Sequence, residues 1–252
     1  MAHATDQWKR KLPVAAAQLG VASPEDVAGA RLGAVLPDAA GLRLAPWPQA
    51  QDFQSALVQG RKALAQGHVR GAMDGGASLT EAAVRIVQPA LYAIGELWQH
   101  NRISIAQEHL ASSISQTVLT DAYLRAEFAP PNGRKALLAC VQGNHHALGL
   151  RMVSDALETR GWDCQCLGAD MPLADLVRHV DAQRPDVLGL SVSLSQHLEV
   201  ARATIEALRA ELGSACPQVW IGGLATMGGD TAWRETRADG WSSDALDLLE
   251  RI

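Results

Sequence analysis

The sequence predicts an α/β protein in which a four-helix bundle cap precedes a doubly wound, parallel-sheet (Rossmann-like) domain. Three observations predict it. From Gln51 to Phe128 apolar residues recur at helical spacing. Ala129-Pro130-Pro131-Asn132-Gly133-Arg134 then interrupts the chain, because two prolines followed by Asn-Gly do not continue a helix. Beyond it, short apolar runs alternate with amphipathic stretches, the rhythm of repeated βα units.

Residues 1–49 are rich in Ala, Gly and Pro with weak periodicity and are expected to form a partly irregular extension. Ser23-Pro24 places a capping residue before a proline at the first helical position, which predicts a short helix to about Arg31. The cap occupies 50–128. Phe53, Ala56, Leu57 and Leu64 share one helical face, and Gly75-Gly76 breaks the pattern. Ser78 with Glu81 three residues on is a capping box opening a run that carries Val84, Val87, Leu91, Ile94 and Leu97. Asn101-Arg102 makes a turn, and a last long helix runs from Ile103 to about Phe128.

After the linker at 129–134, residues 135–252 form the second domain. Strands are expected at Ala136 to Val141, Asp163 to Leu167, Val187 to Ser191 and Gln218 to Ile221, with a short one near Asp239-Gly240-Trp241. Helices are expected from about Ala147 to Arg160, Leu173 to Ala182, Gln196 to Leu212 and Ser243 to Ile252.

Charge and cysteine content narrow the function. With 22 Lys and Arg against 27 Asp and Glu, the net charge of −5 argues against a nucleic-acid-binding face. The four cysteines form no C-x-x-C pair and read as small buried hydrophobes. Neither a signal pattern nor a run of about 20 apolar residues is present, so a cytoplasmic location with no membrane contact is expected. Tryptophan is unusually frequent, seven against two Tyr and two Phe, and an excess of that side chain marks flat ligand surfaces as well as cores.

In a doubly wound sheet, ligands bind beyond the carboxyl ends of the strands. There the first βα loop reads Gly143-Asn144-His145-His146-Ala147-Leu148-Gly149, the third strand ends in Ser191-Val192-Ser193, and the fourth in Gly222-Gly223. The first loop is not a nucleotide fingerprint, because it has neither G-x-G-x-x-G spacing nor a Walker lysine. It offers two imidazoles, faced by small residues that leave a channel open.

Asn144-x-His146-x-x-Gly149, then 41 residues to Ser191, then 28 residues between Ser193 and Gly222, resembles the cobalamin-binding domain of methionine synthase, the corrinoid methyl carriers and the cobalamin photoreceptors. The family motifs are D-x-H-x-x-G, S-x-L and G-G at matching separations. The resemblance implies that His146 is the lower axial ligand to cobalt. It also implies that the displaced nucleotide tail of the cofactor enters a channel bordered by Ser191, Ser193, Gly222 and Gly223, and that Gly149 lets the following helix start close to the corrin. Asn144 replaces the usual aspartate, so it orients the ring without sharing a negative charge. Ser193 replaces the leucine of S-x-L. His145 is a rival ligand, with register favouring His146.

In the cap, Trp98 followed by nine residues and Glu108-His109 resembles the W-x9-E-H of light-sensing cobalamin proteins of the CarH, LitR and AerR type. The resemblance implies that Trp98 lies over the upper cobalt face, flanked by Glu108 and His109, with adenosylcobalamin or hydroxocobalamin bound. Gln99 stands where DNA-binding photoreceptors carry a cobalt-capturing histidine, with His100 and His109 as alternatives. Residues 1–49 are too short and insufficiently basic to supply a winged helix. The resemblance is thus greatest to AerR-type antirepressors, which implies a non-enzymatic light-responsive regulator whose partner is a transcription repressor of photosystem genes. The rival expectations are a corrinoid methyl carrier serving a methyltransferase system and a cobalamin storage or delivery module.

Overall fold

A computed structural model describes residues 43–227 and 231–252; the helix expected after Ser23 lies outside them. The cap begins with α1 (Gln49–Val58) and α2 (Lys62–Asp74). They are separated at Gly60, whose φ of +66° is easily reached only by glycine. That break re-phases α2. Ala65 and Val69 turn inward, and Leu64, expected on the buried face with Phe53 and Leu57, is 46% exposed.

The next helix, α3, is one rod in three parts: Leu79–Ala82, a π-helical turn Ala83–Val87, and Gln88–Gln99. Its capping box forms as expected. The Ser78 N–H and hydroxyl donate to the Glu81 carboxylate at 2.9 and 2.8 Å and hold its pKa below the ordinary value. Within α3, Pro89 has no N–H for the Arg85 carbonyl four residues back. That orphaned acceptor is taken by the Trp47 N–H at 3.0 Å, and the Arg85 guanidinium lies 5.5 Å from the Trp47 ring centroid. Residues 43–48, expected as loop or loosely docked extension, are docked by these and further contacts. Arg43 donates to both oxygens of Glu250 at 2.7 and 2.9 Å, and Leu44 packs with Val84, Ala156 and Ala245. The fourth helix, α4 (Ile105–Tyr123), starts at a Ser104/Gln107 capping box and stops short of Phe128.

Phe53, Leu57, Ile86, Val87, Ile94, Val118 and Leu119 form the bundle core. Phe53 is fully buried, so Phe53→Ala is expected to destabilise the protein by about 3–5 kcal/mol, read as a lower midpoint in urea denaturation with an unchanged slope.

The second domain alternates β1 (Lys135–Cys140), α5 (Leu148–Thr159), β2 (Asp163–Cys166), α6 (Leu173–Gln183), β3 (Val187–Ser191), α7 (Leu198–Leu212) and β4 (Gln218–Gly222). It closes with a short α8 (Ala232–Glu235), β5 (Gly240–Ser242) and α9 (Ala245–Arg251). All five strands are parallel, in the order β2-β1-β3-β4-β5. The period-two pleat divides the core. Ala136, Leu138 and Cys140 face Leu150 and Leu157 of α5, while Leu137, Ala139, Leu188 and Leu190 face Val180 of α6 and Ile205 of α7. Both faces being covered explains why the central strands read as unbroken apolar runs. Cys140 is buried as expected, but Cys166 is exposed because β2 is an edge strand.

The cap sits on α5. Met152 of α5 joins the bundle core, and the Tyr123 hydroxyl of α4 donates to Glu158 at 2.5 Å. The middle of α3 reaches the loops after β4 and β5: Tyr92 donates to Met227 Sδ at 3.6 Å, and Gln88 donates to the Ser243 carbonyl at 3.4 Å.

One buried acid in α5 makes stability depend on pH. Asp155 is 5% exposed, and its Oδ2 has no hydrogen-bond partner. Burial raises its pKa to about 6 even though Arg151 donates to Oδ1 at 3.3 Å and opposes the shift. The unfolded chain releases this proton near pH 4, so the folded state binds more protons between about pH 4 and 6. The contribution of Asp155 to stability is therefore most favourable below that window and falls as pH rises through it. Asp155→Asn is expected to flatten this part of the profile and to stabilise the protein at pH 7 by on the order of 2 kcal/mol, measured by denaturation between pH 4 and 8.

Candidate functional site

Strand order reverses between β1 and β3, and the crevice outside the carboxyl ends at such a switch point is where ligands enter open α/β sheets. The loops leaving these two strands carry the Asn144–His146 segment and Ser191-Val192-Ser193.

Asn144 is fully buried. Its Nδ2 donates to the Ser191 carbonyl at 2.9 Å, which only accepts, so the amide orientation is fixed and Oδ1 turns toward His146. Oδ1 accepts the His146 backbone N–H at 3.2 Å and lies 3.2 Å from His146 Nδ1. An amide oxygen cannot donate, so Nδ1 carries the proton and Nε2 keeps a free lone pair. That is the tautomer a metal-ligating imidazole needs. Among the described residues no hydrogen bond orients the neighbouring His145 ring, which is exposed.

The loop is pinned from several sides. Gly143, at φ +84°, donates its N–H to Asp170 Oδ1 at 2.7 Å, and the Asp170 N–H donates to the Asn144 carbonyl at 2.9 Å. The His197 ring from the β3 loop packs on Gly143, where an added Cβ would come within 3.3 Å of Nε2. Its Nδ1 is buried without a hydrogen-bond partner among the described residues. Beneath the loop, the Cys140 thiol donates to the His146 carbonyl at 3.6 Å. Burial pushes the pKa of this thiol to about 11, so it stays protonated at neutral pH. Sequence reading missed Asp170, His197 and Cys140 as site residues. Only the last had a signal, its place at the final position of a strand next to the switch point.

Across the crevice, Ser191 is 8% exposed, and its carbonyl also accepts the Val141 N–H at 3.3 Å. Ser193 is half-buried. The Val192 N–H donates to the Gly222 carbonyl at 2.8 Å, drawing the β3 and β4 loops together. Gly223 (φ +108°) is required by the fold, because a Cβ there would overlap the Val192 backbone; at Gly222 it would approach the Ser242 carbonyl to 3.2 Å. Gly149 is different. It lies in the first turn of α5, exposed, and a Cβ added there meets nothing within 4 Å. The fold itself does not need glycine at 149, which leaves the surface in front of α5 free for close approach.

Trp98, Glu108 and His109 lie at one end of the cap, on the last turn of α3 and the first turn of α4. Trp98 is 45% exposed. Glu108 accepts from Ser112 at 2.8 Å and lies 2.6 Å from His109 Nδ1. Among the described residues no hydrogen bond joins Trp98 to this pair, or any of the three to the β1 loop.

The donor set bears on which group fits. No group of three or more His, Cys, Asp or Glu suited to a metal ion occurs among the described residues. A single oriented imidazole suits a metal whose remaining positions are filled by its own macrocycle. The open surface at Gly149 suits a broad flat ligand.

Comparisons with known proteins agree with this fit. Two family models, each described as a B12 binding domain, match residues 49–120 and 134–250. The HTH-type transcriptional repressor CarH of Myxococcus xanthus is 31% identical over 183 residues, which cover 71% of this chain and 60% of that protein. CarA of the same organism is 40% identical over 124 residues, 49% of this chain and 42% of the relative. Dimethylamine corrinoid protein 3 of Methanosarcina acetivorans is 29% identical over 112 residues, 44% of this chain and 51% of the relative. The chain thus spans at most about three-fifths of these curated relatives. The Methanosarcina barkeri monomethylamine corrinoid protein has the same fold, with a TM-score of 0.66 at 17% identity over 79% of this chain and 94% of that one. With one matched model on the helical cap and the other on the parallel-sheet domain, both domains of the chain match B12 binding domains, and the chain is similar both to transcriptional repressors and to corrinoid proteins.

Proposed function

We propose that this protein is a cobalamin-binding, light-responsive regulator in which His146 is the lower axial ligand. The observation that carries the cobalamin site is the buried Asn144 amide, which fixes the His146 tautomer so that Nε2 is the donor. Bound cobalamin supplies a light-labile bond between cobalt and its upper ligand; the protein supplies orientation and a readout. The tail of the cofactor occupies the channel beside Ser191, Ser193, Gly222 and Gly223, and Gly149 admits the corrin. Trp98, Glu108 and His109 cover the upper face. The exposed tryptophan at the end of α3 favours this role, because an indole left half in water gains by being covered.

The regulator reading is supported by the 40% identity to CarA, a named repressor, over half of this chain. Its output is protein–protein contact: the protein acts as an antirepressor by binding a transcription repressor of photosystem genes, consistent with an acidic chain that does not itself seek phosphate. Adenosyl-, methyl- and hydroxocobalamin are added to the purified protein, and absorbance is followed in darkness and under green light alongside binding to such a repressor. The expected result is a light-driven spectral change that alters repressor affinity. Methyl transfer to a thiol acceptor in darkness, with no effect of light on binding, would instead establish a methyl carrier.

A further inference from the structure

We infer that Cys140 is a positioning residue for the axial imidazole, acting through the His146 main chain. The inference rests on the assignment of His146 as ligand and goes beyond it. The His146 ring is controlled at two points. Asn144 grips Nδ1 and the backbone N–H from one side. On the other side of the same residue, the Cys140 thiol donates to the His146 carbonyl at 3.6 Å. The two grips hold the peptide units on either side of the His146 Cα, so together they fix the direction from which the side chain departs. The Asn144 contacts leave the His146 carbonyl, and the peptide unit that follows it, to be held by the thiol.

The geometry also explains why the last residue of β1 can do this. Cys140 is fully buried, and its own backbone N–H and carbonyl are both engaged by the β2–α6 connection, to the Gly168 carbonyl at 2.9 Å and from the Met171 N–H at 3.2 Å. Its sulfur is therefore held still by the sheet. Ser191 is the register partner of Cys140 across β1 and β3, and the Ser191 carbonyl holds Asn144. The four residues thus form a closed circuit across the β1/β3 switch point: Cys140 to His146, His146 to Asn144, Asn144 to Ser191, and Ser191 to Cys140. A circuit of this kind transmits a displacement at Ser191, on the tail channel, to the imidazole.

The test uses hydroxocobalamin as the probe and the full chain. Cys140→Val removes the donor and adds about one methyl group to the core; Cys140→Ser keeps a donor in a side chain of the same shape. Cys140→Val is expected to weaken hydroxocobalamin binding by roughly 3–10-fold, toward the lower end for partners that orient a metal ligand because a thiol is a weak donor. Cys140→Ser is expected to return affinity to within about twofold of the original. In a His146→Ala background, Cys140→Val should make no further difference, since the residue acts only through that imidazole. The inference is overturned if Cys140→Val binds as the parent does, if Cys140→Ser is as weak as Cys140→Val, or if the valine effect persists without His146. If the parent protein shows no imidazole-ligated spectrum, or if His146→Ala leaves that spectrum intact, it is the ligand assignment that falls. Circular dichroism melts of each variant without corrinoid identify any loss that comes from unfolding.

Discussion

His146→Ala is expected to eliminate the imidazole-ligated corrinoid spectrum and to weaken cobalamin binding by more than 100-fold, whereas His145→Ala leaves both nearly unchanged. Orienting partners of metal ligands are typically worth about 10–100-fold in affinity, so the ligand itself should exceed that range. The contrast between adjacent histidines follows from one amide. Asn144 Oδ1 lies 3.2 Å from His146 Nδ1, and Asn144 cannot turn away because its Nδ2 is bound to the Ser191 carbonyl in a fully buried position. The same reasoning ranks substitutions at 144. Asn144→Asp keeps the acceptor for His146 but removes the donor to Ser191, placing a carboxylate oxygen against a carbonyl. Asn144→Ala loses both contacts and should cost about 10–100-fold. Spectral titration with hydroxocobalamin distinguishes all four variants. Retention of the His-ligated spectrum by His146→Ala, with its loss in His145→Ala, would reassign the ligand.

A second large effect is expected at Gly149, where stability and binding should move in opposite directions. Gly149 lies within α5, at an ordinary helical conformation, with nothing within 4 Å of an added Cβ. Gly149→Leu should therefore stabilise the protein without ligand by about 0.5–1 kcal/mol, the usual gain on replacing a helical glycine. The same side chain projects into the surface where the corrin must lie, and cobalamin binding should fall at least 100-fold. Gly223→Ala is the control. Its Cβ would overlap the Val192 backbone, so it should lower the melting temperature even without ligand. A Gly149→Leu variant that binds cobalamin normally would show that the ligand does not approach α5 at this point.

Much of this architecture could be read from local chemistry. The Ser78/Glu81 box, the Gly75-Gly76 stop and the apolar runs at 136–140 and 187–191 are signals contained within a few residues, and each corresponds to an element end or a central strand. The features that sequence reading missed depend on partners far away. Leu64 keeps helical spacing with Phe53, yet the left-handed residue at Gly60 rotates α2 and leaves it exposed. The π-helical turn and the docking of Trp47 both arise near Pro89, and their reward is a backbone bond to a residue about 40 positions away. At the site, motif spacing marked His146 and Asn144. It said nothing of which nitrogen would be free, because that is decided by the Ser191 carbonyl on another strand. Asp170 and His197 hold the loop from other connections and follow no local pattern.

The way α3 is fastened has a mechanical consequence. Its first turns are wedged by Val84 against Ala156 and Ala245, and the Arg43–Trp47 segment is laced across them. Trp98 lies fourteen residues further along, about 21 Å at 1.5 Å per residue. The rod is thus a lever with its fulcrum at α5 and its tip at the indole, where Ile94 and Leu97, buried in the bundle core, tie it to the other helices. A tilt of about 10° at the fulcrum sweeps the tip through roughly 4 Å over that arm. Ile86, Val87, Ile94 and Leu97 are packed in the bundle core along that arm, beside the Tyr92–Met227 and Gln88–Ser243 contacts, so a small tilt where α3 meets α5 becomes a larger displacement of the cap at Trp98.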